Sequence, residues 1–107
     1  MPSIEQLRAL CGGPRDGALL RLSLGNALLE SGDRVAAIVE LRRALQLDAD
    51  YSAAWKALGH ALADSGALSD AIAAYRDGIA AAQRRGDKQA EKEMTVFLKR
   101  LHKQADA

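Results

Sequence analysis

The sequence predicts an all-α fold, a helical solenoid built from paired helices, and three observations carry that prediction. Sliding the chain against itself by 34 residues lays 18–49 over 52–83 with nine identities: Leu24/Leu58, Gly25/Gly59, Ala27/Ala61, Leu28/Leu62, Ser31/Ser65, Gly32/Gly66, Ala37/Ala71, Ile38/Ile72 and Arg42/Arg76. A period of about 34 residues over paired helices marks a solenoid. Alanine supplies 22 of the 107 residues and only four are aromatic, the composition of closely packed helices. Both prolines, Pro2 and Pro14, lie near the N-terminus, so no long helix downstream is interrupted. No run reads as a strand, no low-complexity linker divides the chain, and residues 1–107 are read as one domain.

Each helix has its own signals. Residues 2–12 hold a short first helix, capped by Ser3 with Gln6 completing a capping box, and striped by Ile4, Leu7 and Leu10 or Cys11. Gly12-Gly13 stops it, and Pro14 suits the first turn of the next helix. A lid over one end of the solenoid is the expected role, a self-association or docking arm the alternative. The first long helix is expected over about Arg15–Ser31, burying Leu20, Leu24, Ala27 and Leu28. Gly32-Asp33 ends it and caps a partner over about Arg34–Leu47, which buries Ala37, Ile38, Leu41, Ala44 and Leu45. Asp50 is available to cap the third long helix, about Tyr51–Ser65. A break at Gly66 precedes a helix over about Ser69–Arg85, and Gly86-Asp87 is again a stop and a cap. The last helix, about Lys88–Gln104, carries Ala90, Met94, Phe97, Leu98 and Leu101 on one face and charges on the other. The units are thus 18–51 and 52–85, with a terminal capping helix over 87–104.

Charge and cysteine content narrow the function classes. A net charge of +1 gives no reason to expect a nucleic acid or an anionic membrane as partner, and Arg42-Arg43 and Arg84-Arg85 read as solvated helix faces. The single Cys11 cannot form an internal disulfide, which fits a reducing compartment. Glu5 and Arg8 interrupt any signal-peptide core, and no stretch approaches the roughly 20 apolar residues of a membrane span. With its Ala, Arg and Leu abundance, the chain is expected in a bacterial cytoplasm.

Several of these residues resemble the tetratricopeptide repeat (TPR) family. In the second unit Trp55, Leu58 and Gly59 take the family's W-x2-LG positions, Leu62 stands where tyrosine is usual, and Ala71, Tyr75 and Gly78 fill the small, aromatic and second small positions. The first unit keeps Leu24, Gly25, Leu28, Ala37, Leu41 and Ala44 but has Arg21 in the tryptophan slot. Its end, Leu47-Asp48-Ala49-Asp50-Tyr51, resembles the family's L-D-P-x-Y junction with alanine for proline. A third unit loses the pattern at Lys92 and Glu93. The resemblance implies a right-handed superhelix in which the small residues sit where helices cross and Trp55, Leu41 and Tyr75 fill the space between units.

Catalytic chemistry has little to work with. Cys11 and His60 or His102 lack any activating motif, Gly12-Gly13-Pro14-Arg15 lacks the Lys-Ser/Thr of a phosphate loop, and one cysteine with two histidines gives no zinc spacing. Glu91 and Glu93, two apart on a helix, point in different directions. No catalytic residue, cofactor or metal is expected. The family resemblance instead implies a concave groove for a peptide or helix of a partner protein, lined by Leu19, Leu22, Asn26 and Leu29, then Ala53, Lys56, His60 and Ala63, then Ala90, Met94 and Phe97. Only Asn26 matches the family's carboxylate-clamp pattern, so a chaperone tail is not expected. Three exposed leucines would each forgo roughly 1.5–3 kcal/mol of burial, which a partner segment would recover, with Lys56 pairing one of its acids. The alternative is a homo-oligomer in which another copy covers the groove, suggested by two units where about three are usual. Coverage by the chain's own terminal helices is the competing explanation for the same residues.

Overall fold

A computed structural model describes residues 2–106, and within them six helices and no strand. They are α1 (Ile4–Leu10), α2 (Ala18–Glu30), α3 (Arg34–Leu47), α4 (Ser52–Asp64), α5 (Leu68–Arg85) and α6 (Lys88–Ala105). Consecutive helices pack as antiparallel neighbours, and α2, α4 and α6 also touch across the pairs, giving a slab of 43 × 30 × 21 Å. Local sequence accounts for most of the boundaries. Ser3 and Gln6 form the expected capping box, with Ser3 Oγ accepting from the Gln6 N–H at 3.1 Å and Gln6 Oε1 from the Ser3 N–H at 2.8 Å. Gly32, Gly66 and Gly86 take left-handed φ of 88°, 82° and 74°. The N–H of the following residue then reaches back to Leu28, Leu62 and Ala82 carbonyls, closing the same motif at three helix ends. Asp33 and Asp87 then cap α3 and α6 through the Ala36 and Ala90 N–H groups.

Two boundary expectations are corrected. The first long helix begins at Ala18 rather than Arg15, because the Asp16 carboxylate is taken up by the Gly12 N–H at 2.9 Å and by Arg21. Asp50 does not cap α4: Tyr51 is the capping residue without a side-chain bond, and the Asp50 carboxylate accepts from Arg84 Nε at 2.8 Å instead. Next to it Arg85 holds Asp48 with both terminal nitrogens. The end of α5 is thereby tied to the junction between the two units.

The glycines mark the crossings. A Cβ on Gly25 would lie 2.7 Å from Leu41 Cδ2, and one on Gly59 would strike the Tyr75 ring. Leu41 and Tyr75, expected to fill the space between units, thus each occupy the room left by the glycine of their own unit. Trp55 is half-buried; its Cβ lies against Gly78, and its indole N–H donates to the Ala49 carbonyl at 2.8 Å. In the first unit the tryptophan slot is electrostatic. Arg21 bonds Asp16 through Nε and Nη2 and Glu40 through Nη1, all at 2.8–2.9 Å. These bonds raise the Arg21 pKa and hold Asp16 well below the usual carboxylate range, Arg21 first and the Gly12 N–H second.

Leu7 of α1 is buried on Leu20, Leu24, Leu28 and Ala37, with Ile4 and Cys11 at the edge. The larger core runs from Leu22, Leu41 and Ala44 through α4 and α5 to Ala90, Met94 and Leu101 of α6. The terminal helices therefore cover the two ends of the stack.

Candidate functional site

The inward-facing helices α2 and α4 enclose an open groove of ≈ 320 Å³ lined by Leu22, Asn26, Leu29, Ala53, Lys56, Ala57 and His60. Six of the eleven residues singled out from the sequence therefore meet: Leu22, Asn26, Leu29, Ala53, Lys56 and His60. Their helical spacing made this legible, since 22, 26 and 29 share a face of α2 while 53, 56, 57 and 60 share one of α4.

Five do not line it: Leu19, Ala63, Ala90, Met94 and Phe97. Leu19 is 68% exposed and outside the groove. Met94 is 0% exposed, with Sδ 2.5 Å from where a Gly78 Cβ would stand, so it belongs to the α5–α6 core. Phe97 is half-buried and reaches the site only by its edge on His60, with ring centroids 4.5 Å apart. Of the three leucines expected to be exposed, Leu19 is, and the other two are corrected. Leu22 is 8% exposed and Leu29 half-buried, so the chain itself covers most of their surface and they form the groove floor. Nor does Lys56 await a partner's acid, because its Nζ already meets Glu93 Oε2 of α6 at 2.8 Å. That contact, ahead of a bond from Gln89, lowers the Glu93 pKa. Periodicity along one helix could not reveal a pair 37 residues apart.

His60 completes the wall. Its Nδ1 lies 2.7 Å from Tyr75 Oη, and Phe97 stands edge-on to the imidazole while Arg100 covers Phe97 at 5.8 Å. Burial, then the Lys56 charge, pushes the imidazole pKa below its ordinary value, and burial pushes the Tyr75 phenol up to about 12. A neutral imidazole accepting from the phenol fits both shifts. Cys11 sits in the N-terminal cluster, apart from this group, with its thiol 3.6 Å from the Leu7 carbonyl. Among the described residues no group of three or more His, Cys, Asp or Glu could hold a metal ion, and no helix is long and apolar enough to cross a membrane. What the groove offers chemically is apolar surface, one amide, one imidazole and an ion pair.

A family model described as tetratricopeptide repeat matches residues 28–91, more than half of the chain. The chain is a tetratricopeptide repeat protein. Among its TPR relatives, a TPR repeat-containing protein of Pseudomonas aeruginosa is 47% identical over 98 residues, spanning 92% of this chain and 93% of the relative. The solution structure of a Bordetella parapertussis protein, 42% identical, superposes with a TM-score of 0.83 over 97% of this chain and 90% of its own. The Sgt2 TPR domain of Aspergillus fumigatus, 29% identical, reaches 0.78 over 96% of this chain and 68% of that one. TPR domains serve generally as protein–protein interaction modules, and the family is generally non-catalytic.

Proposed function

We propose that this TPR protein is an interaction module that takes a peptide segment of a partner protein into the groove between α2 and α4. The observation that supports the reading is the groove itself: an apolar floor of Leu22, Leu29, Ala53 and Ala57 under a polar rim of Asn26, Lys56 and His60. An apolar base with a few placed polar groups is how peptide sites combine affinity with orientation. The rim leaves no nucleophile beside a base, which favours binding over catalysis.

A photocrosslinking residue at Asn26 tests this in the native cell, with the same residue at Val35 on the exposed face of α3 as control. A partner is expected to be trapped from position 26, not 35, and lost on Ala57→Arg in folded protein. Equal capture from both positions, or none from Asn26, removes the groove from the reading. Assembly with another copy is the second possibility, motivated by Val35 and Val39, exposed one helical turn apart on α3. Sedimentation at rising concentration separates the two, since a folded monomer throughout excludes it.

A further inference from the structure

We propose that the segment bound by this protein is extended and basic, with a lysine or arginine near each end and apolar side chains between; this rests on the groove reading above. The α2–α4 groove does not stand alone. A depression of ≈ 270 Å³ between α1 and α2 is lined by Leu7, Ser23, Asn26, Ala27 and Glu30, and shares Asn26 with it. A third, of ≈ 200 Å³ between α4 and α6, is lined by Asp87, Gln89, Ala90 and Glu93, and shares Ala53 and Lys56 with it. The shared side chains join the three into one trough that crosses α1, α2, α4 and α6.

Its charge is the reverse of what Lys56 alone suggests. The trough carries Glu30 at one end and Asp87 and Glu93 at the other, against a single ammonium, which Glu93 already neutralises. His60 is held toward its neutral form, and Asp64, one turn along α4, adds a further negative field beside it. Ser52 and the Ala90 N–H lower the Asp87 pKa, so this carboxylate stays ionised. An acidic segment would meet like charge at both ends, whereas a basic one finds a carboxylate at each. The span sets the length. Helices pack roughly 8–10 Å apart, so two steps cover about 20 Å, or about six residues of extended chain. The Leu22–Ala53–Ala57 floor under the centre offers apolar surface, which suits apolar side chains between the two charged ends.

Fluorescence anisotropy with labelled Lys-Ala-Leu-Ala-Ala-Lys and its counterpart with glutamate at both ends tests the charge. The lysine peptide is expected to bind about tenfold more tightly, as two partly exposed charge pairs allow, with a preference that shrinks as salt rises. Glu30→Gln with Glu93→Gln frees Lys56 and removes one carboxylate from each end, so the preference is expected to vanish or reverse in a variant whose circular dichroism is unchanged. Three results overturn the proposal: equal or tighter binding of the glutamate peptide, a preference that survives in the double variant, or no binding of the lysine peptide at millimolar protein. If the Asn26 crosslink instead captures an acidic segment, the groove reading stands and this one falls.

Discussion

Gly59 and Gly25 occupy equivalent places in the two units, yet they face different neighbours. Opposite Gly25 is the branched end of Leu41, which can turn about its own side-chain bonds; opposite Gly59 is the rigid Tyr75 ring, held by its bond to His60. An added methyl is therefore harder to accommodate at 59. Gly59→Ala is expected to cost about 2–3 kcal/mol by urea unfolding and Gly25→Ala about 1 kcal/mol. Gly86→Ala meets nothing within 4 Å, so its cost, about 1 kcal/mol, comes from the left-handed backbone alone. His60 gives a pH dependence of definite sign. The fold depresses its pKa below 6.5, so the unfolded chain binds more protons than the native one just below that value. Stability should fall as pH drops from 7 to 5, before the lowered carboxylates Asp87 and Glu93 titrate. Thermal melts of wild type and His60→Gln at both pH values check this: the variant should lose less on acidification.

At the scale of the element, α1 is seven residues long and holds to the stack chiefly through Leu7. Truncating that side chain opens a space over Leu20, Leu24 and Leu28, so Leu7→Ala is expected to cost about 2–4 kcal/mol in urea melts. The capping signals that place this helix were fully legible in the sequence, as were the Gly-Asp stops after α2 and α5. The faces of α6 were not. Its period announces an apolar stripe of Ala90, Met94, Phe97 and Leu101, but a period does not say which neighbour covers the stripe. Gly78 decides that, since the side chain it lacks is the space that Met94 fills. Likewise α2 reads as having leucine on several faces. Leu22 goes under α4 while Leu19 stays in solvent, and only the crossing of the two units separates them. The polar half of the groove was half legible: Lys56 and His60 follow from spacing, whereas Glu93 and Tyr75 reach them from other helices.

At the scale of the whole molecule, an apolar core continuous from α2 to α6 joins the units, and polar ties between residues far apart in sequence are laid over it. Ser52 bonds Asp87, Lys56 bonds Glu93, and Arg84 and Arg85 bond Asp50 and Asp48. The arginine pairs are substantially exposed, 55% and 46% on the arginine side, so salt reaches them. The screening length shrinks from about 10 Å at 0.1 M to about 3 Å at 1 M. Small-angle scattering should therefore record a small rise in the radius of gyration at high salt, from a Cα value of 13.8 Å. Arg84→Ala with Arg85→Ala should show that rise already at low salt and respond no further. A compact, salt-insensitive double variant would mean that the apolar core alone sets the curvature. The two arginines at the end of α5 act as tie-rods on an arch. If the double variant expands as expected, ionic strength would act on the opening of the proposed groove, and with it on the size of guest the groove would admit.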